Sequence, residues 1–155
     1  MPDKDRPLAE RGHADAPLMG AWIRAHDLVP DLVVCSTARR TRETWAGVAA
    51  ELGRDVPVTF DAAIYEATTA RILSVIRRTP GTPRRLMLIG HNPGFEDLSA
   101  DLARDTDPEA ATRIARKYST CGLAVLDIPV DAWAKVTPRT ARLTHFMAPQ
   151  YSAPK

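Results

Sequence analysis

Little in this sequence ties the chain covalently, to a membrane or to nucleic acid. Two cysteines, Cys35 and Cys121, in 155 residues are too few for a disulfide scaffold and have no zinc-site spacing. No apolar run approaches the roughly 18 residues needed to cross a bilayer. Met1-Pro2-Asp3-Lys4-Asp5 is charged where a secretory leader has its apolar core. A cytoplasmic location is therefore the expectation. Charge of one sign is scarce too: the formal net charge is +2 and the arginines are scattered, which argues against nucleic acid as a partner. There is no internal repeat and no low-complexity tract.

What is present is an ordinary globular composition, 45% hydrophobic and 26% charged. The length suits one domain over residues 1–155. A chain of this size buries roughly 68–70% of its unfolded surface, enough for a core. Apolar spacing predicts helices over residues 12–26, after Ser36 as N-cap through Leu52 with Gly53 as the stop, over 69–78, from Pro93 to Leu102, and over 109–117. Short apolar or alternating runs predict strands at 32–35, 56–60, 86–89, 122–128 and 141–146. Residues 149–155 read as a frayed end. Strands alternating with helices predict a layered α/β domain with a largely parallel sheet.

The stretch LMLIGHNPGFEDL, residues 86–98, carries the most information. An uncharged run of this kind reads as a buried parallel strand. Asn92 is a favoured N-cap residue, and Pro93 stands at the expected first helical position. His91 is thereby placed at the carboxyl end of a strand, facing a helix N-terminus. Ligands bind at such strand ends, and helix N-termini favour anions. The alternative for His91 alone is a satisfied histidine beside a helix cap.

Residues 35–44, CSTARRTRET, repeat the layout of strand, polar residue, helix. An arginine here brings a planar, permanently charged donor fork suited to phosphate oxygens; the alternative is a solvated helix face. A cysteine phosphatase needs an arginine six positions after the cysteine, and Thr41 stands there. Cys35 therefore reads as a small core residue. Together the two segments supply complementary groups: a fixed cation at Arg40 and a donor or proton relay at His91.

Three stretches, Arg6-Pro7-Leu8-Ala9-Glu10-Arg11-Gly12, Ser36-Thr37-Ala38-Arg39-Arg40-Thr41-Arg42-Glu43-Thr44 and Gly90-His91-Asn92-Pro93, resemble successive motifs of the histidine phosphatase superfamily. The nearest branch is that of the small SixA-type phosphohistidine phosphatases, and residues 118–128 and 143–149 are similar to the ends of those proteins. The resemblance implies a three-layer α/β/α, phosphoglycerate mutase-like fold with a mostly parallel sheet. It also implies phosphatase activity through a phosphohistidine enzyme, with a second histidine and arginines holding the phosphoryl oxygens. No metal or other cofactor is implied. The substrate class is a phosphorylated protein, as phosphohistidine, or a small phosphate ester. By motif, Arg40 and His91 take catalytic and phosphate-binding places, Arg6 a phosphate-binding one, and Glu66 is a candidate general acid. The alternative for Glu66 is a solvated loop carboxylate.

The family's opening strand and its Arg-His motif are expected well ahead of Arg6, and neither occurs in these residues. His13 and His26 are expected to be solvated, and no motif supports His145. The expectation is thus an N-terminally truncated domain, lacking its first strand and inactive by the covalent route. The alternative is a non-catalytic phosphate-binding or regulatory pseudophosphatase. Without that strand, its neighbours in the sheet are expected to keep unpaired backbone groups.

Overall fold

The strand-forming runs at 32–35 and 86–89 pair with each other, and their register builds the centre of the molecule. The structure is a computed structural model that describes residues 1–81, 83–118 and 121–152. Its elements in chain order are α1 (Glu10–Ala25), β1 (Leu32–Cys35), α2 (Arg39–Ala49), β2 (Val58–Phe60), α3 (Thr69–Arg77) and β3 (Leu86–Ile89). They continue with α4 (Gly94–Leu102), β4 (Ala103–Thr106), α5 (Pro108–Arg116), β5 (Leu123–Asp127), β6 (Ala141–Met147) and α6 (Pro149–Ser152). Short 3₁₀ turns form at Asp3–Asp5, Ala62–Ile64 and Trp133–Lys135. No helix among the described residues is long and apolar enough to cross a membrane.

Alternation along β1 sets the layers. Val33 and Cys35 point into a cluster with Ala16 and Ile23 of α1 and Trp45 and Val48 of α2. Val34 points the other way, among Ile72, Leu73, Val75 and Ile76 of α3 and Leu98 and Leu102 of α4. Helices thus cover both faces, which gives the three-layer α/β/α arrangement of the phosphoglycerate mutase-like fold. The helix starts agree with local chemistry. Thr68 accepts from the Arg71 amide to cap α3, and Asp107 accepts from the Glu109 and Ala110 amides ahead of Pro108 in α5.

The expected single sheet is divided. One half, in the order β2-β1-β3, is all parallel; the other, in the order β4-β6-β5, is mixed, with β5 antiparallel to β6. Strand β4 was not legible beforehand, because Ala103-Arg104-Asp105-Thr106 has little strand propensity and is extended by pairing with β6. Between the halves lie two cavities of about 390 and 490 Å³, both lined by residues of β3 and β5. Among the described residues, β3 pairs only with β1, and β5 only with β6.

Two caps differ from the expectation. Helix α2 starts at Arg39 behind Ala38, and the Ser36 side chain is used elsewhere. Helix α4 has Pro93 at its cap position, although Asn92 Oδ1 still accepts from the Glu96 amide at 3.2 Å. Part of the expected frayed end is a short helix, α6; residues 153–155 lie outside the described residues.

Candidate functional site

The β1–β3 register pairs Cys35 with Ile89, and the Ser36 amide extends the ladder by donating to the Ile89 carbonyl at 2.9 Å. Ser36 and His91 therefore leave the sheet side by side at its carboxyl edge. Gly90 lets the chain pass under Phe95, since a Cβ there would stand 2.4 Å from the Phe95 ring. In the β1–α2 turn, the Thr41 hydroxyl is 3.0 Å from the Ser36 carbonyl and 2.8 Å from the Ala38 carbonyl. These contacts fix the turn and aim Arg40 back across the strand ends.

Arg40 Nη2 lies 3.2 Å from His91 Nδ1, and His91 Nε2 lies 2.8 Å from Ser36 Oγ. A guanidinium can only donate, so Nδ1 accepts and the proton of the neutral ring sits on Nε2, donating to Ser36. Burial first, and the Arg40 charge second, push His91 down to about 4, so the ring is neutral at pH 7. Ser36 is fully buried and its Oγ also accepts from the Ala38 amide at 3.3 Å. With His91 donating to it, Ser36 has no general base and is not an activated nucleophile. Cys35 is fully buried as well, and burial raises its thiol to about 11, which excludes a reactive thiolate.

Arg40 meets Asp3 through both of its terminal nitrogens. Nη1 donates to the Asp3 backbone carbonyl at 3.0 Å, and Nη2 is 3.2 Å from Asp3 Oδ2. Arg6 Nη2 lies 3.3 Å from Asp3 Oδ1, and the Tyr65 hydroxyl donates to Asp3 Oδ2. The Tyr65 ring stands edge-on to His91, with centroids 5.2 Å apart and an interplanar angle of 89°. The segment that carries Arg6 is tied to α2 by Glu43, whose Oε1 accepts from the Leu8 amide at 3.0 Å. That bond is the main reason the Glu43 carboxyl is held below its usual range.

Arg6, Arg40 and His91 line the same cavity, of about 390 Å³, so three of the four residues singled out in the sequence come together. Glu66 does not join their hydrogen bonds. It is exposed, in left-handed backbone at φ 49°, one residue beyond Tyr65. His13, His26 and His145 do not line that cavity. His13 is 3.6 Å from Glu43, while His26 and His145 pack around Trp22. Among the described residues, no group of three or more histidine, cysteine or acidic side chains is arranged to hold a metal ion. Sequence reasoning missed Asp3, Ser36 and Tyr65 as members of this cluster. Ser36 had a signal, a polar residue ending a buried strand beside a second strand that ends in histidine; Asp3 and Tyr65 had none.

Comparison with known proteins gives a consistent result. The profile of the histidine phosphatase superfamily (branch 1) matches residues 2–72. An uncharacterized protein of Mycobacterium tuberculosis is 38% identical over 96% of this chain and 92% of its own length. An uncharacterized chloroplastic protein of Arabidopsis thaliana is 29% identical over 84% of this chain and 60% of its own. A structure from Nakamurella multipartitia, provisionally described as a phosphohistidine phosphatase SixA, superposes with TM-score 0.77 at 28% identity, covering 96% of this chain and 88% of the other. A second, from Agrobacterium tumefaciens and with the same description, gives 0.75 at 28% identity, covering 96% and 86%.

Proposed function

The chain belongs to the histidine phosphatase superfamily, and we propose that it seats the phosphoryl group of a protein-borne phosphohistidine, or of a small phosphomonoester, where β1 and β3 end. The observation that carries this is the Arg40 guanidinium, which bonds both His91 and the Asp3 carboxylate and lines the cavity. Arg40 supplies the permanent charge and a fork of donors for phosphoryl oxygens. Arg6 adds a second charge. His91, neutral and anchored by Ser36, keeps Arg40 in place and offers its ring at the rim.

Both His91 nitrogens are engaged, which suits a supporting group better than an attacking one. None of the other histidines lines the cavity. The 155 residues on their own therefore hold a phosphoryl group without forming a phosphoenzyme. Turnover by the family's covalent route requires a further histidine beside Arg40. Glu66 is exposed and does not line the cavity, so it is the least supported member of the site.

Two measurements test this. Calorimetric titration with inorganic phosphate is expected to show binding that Arg40→Ala abolishes; equal binding by the variant would refute the phosphate assignment. Incubation with an activated aryl phosphate is expected to give no release above that of Arg40→Ala, and phosphate trapped on any histidine of this chain would overturn the non-catalytic part.

A further inference from the structure

Asp3 is held by donors from three separate parts of the chain. Arg40 comes from the first turn of α2, Tyr65 from the turn before α3, and Arg6 from the segment leading into α1. All three converge on one carboxylate, which is still 42% exposed. A carboxylate is the side-chain group nearest to a phosphoryl group in charge and in the placing of its oxygens. Two guanidinium charges facing one carboxylate leave the cluster with an unbalanced positive charge, as a seat for a doubly charged anion requires.

We propose that Tyr65 is a further donor of the phosphoryl seat, and that Asp3 is an internal stand-in which the incoming phosphoryl group displaces. The inference rests on the assignment of Arg40 as a phosphate ligand and extends it to a residue and a competition not otherwise assigned. Tyr65 is suited to the role because its phenol stays protonated. The hydrogen bond to Asp3, ahead of desolvation, raises it to about 12. The edge-on contact with His91 holds the ring so that its hydroxyl points at the carboxylate on Arg40.

Displacement of Asp3 costs little. Its 3₁₀ turn, Asp3–Asp5, has no buried residue, and exposed ion pairs are individually weak. A phosphoryl group offers more acceptor oxygens and more charge to the same donors, and hydrogen bonds to charged groups are the stronger kind. The N-terminal turn thus lies over the seat when it is empty of phosphate and lifts from it on binding.

The test is calorimetric titration with inorganic phosphate of the 155-residue chain and its Asp3→Asn, Tyr65→Phe and doubly substituted forms. Asp3→Asn is expected to tighten phosphate by about threefold or more, as loss of an exposed ion-pair competitor implies. Tyr65→Phe is expected to weaken it by about tenfold in the Asp3→Asn background, the loss for one charge-assisted hydrogen bond, and by less in the native background, where the same substitution also loosens the competing carboxylate. If Tyr65 served only to clasp Asp3, removing its hydroxyl would tighten phosphate in the native background and change nothing beside Asp3→Asn; that pattern overturns the proposal. A near-ultraviolet tyrosine perturbation on adding phosphate, absent from Tyr65→Phe, is the independent readout; its persistence in Tyr65→Phe also overturns the proposal. The Arg40→Ala control separates the two claims: binding unaffected by Arg40→Ala refutes the seat itself, whereas binding that needs Arg40 but ignores Tyr65 refutes only this inference.

Discussion

Arg40 Nη2 stands 3.2 Å from His91 Nδ1, a contact that a charged imidazole could not make, because both groups would then donate. The pair works only with His91 neutral. The arginine and the burial of the ring both favour that form, so geometry and electrostatics agree.

The first prediction concerns pH. His91 lies at about 4 in the folded protein, against about 6.5 for a free histidine. A histidine depressed by folding stabilises the native state fully above its unfolded value. That contribution is lost as pH falls from about 6.5 toward 4, where the unfolded chain binds the proton first. Denaturant midpoints of the native protein are expected to drop between pH 7 and 5 by more than those of His91→Gln. Equal drops would show that His91 carries no such linkage. Ring titration by NMR is expected to move upward in Arg40→Ala yet stay below the free value, since desolvation remains the larger cause.

Ser36 is the second test. Ser36→Ala removes the acceptor of both His91 Nε2 and the Ala38 amide at a fully buried position. Leaving buried donors unsatisfied costs about 1–3 kcal/mol. Chemical denaturation is expected to show a loss of that size, and the His91 Nε2 proton to exchange faster with water, while Arg40 keeps the ring in its Nε2–H form. A loss within error, with the exchange of the Nε2 proton unchanged, would remove Ser36 from the site.

Helix packing supplies the third. Alanine is normally favoured over glycine inside a helix by about 1 kcal/mol. At Gly20, though, a Cβ would stand 2.4 Å from the Val48 carbonyl oxygen of α2. Gly20→Ala is expected to destabilise by about 1–3 kcal/mol, the range for overpacking, reversing the sign that propensity dictates. A stabilised variant in thermal unfolding would mean that α1 and α2 separate more easily than their packing indicates.

The fourth concerns Cys35, whose thiol is buried and raised to about 11. Iodoacetamide at pH 8 is expected to leave it untouched until denaturant is added. Native-state alkylation at the rate of a free thiol would reopen the thiolate chemistry that spacing and burial exclude.

What was legible in the sequence is what short-range pattern controls. The runs at 32–35 and 86–89 formed the central strands, and Ile72, Leu73, Val75 and Ile76 formed the buried face of α3. Arg40 and His91 were legible because each follows a short apolar strand, and parallel strands end at the same edge; β3 itself is only partly buried, Ile89 alone of its residues being buried. The rest depends on distant contacts. Strand β4 exists through its pairing with β6, against the polar character of its residues. Asp3 and Tyr65 meet across 62 positions, and nothing local marks either as a partner of Arg40. Ser36 was assigned to capping because serine is a good cap; the neighbouring strand end gave its hydroxyl a different partner.

The division of the sheet has a mechanical consequence. Within each half, strands are joined by directional hydrogen bonds that fix register residue by residue. Across the division, β3 and β5 share only cavity walls and the side-chain packing that surrounds them. Apolar packing is cohesive but non-directional. The directional bonds between the halves come from outside the sheet, Arg77 Nε donating to the Val136 carbonyl at 2.8 Å and Trp133 Nε1 to the Pro83 carbonyl at 2.9 Å. The cluster of Arg40, His91, Ser36, Asp3 and Tyr65 draws all its members from the first half or from segments bonded to it. Its distances are therefore set within the first half, while the far wall of its cavity, Cys121, Gly122 and Leu123, leads into β5 of the other, so a substitution in that wall reshapes the cavity without touching the cluster's own bonds.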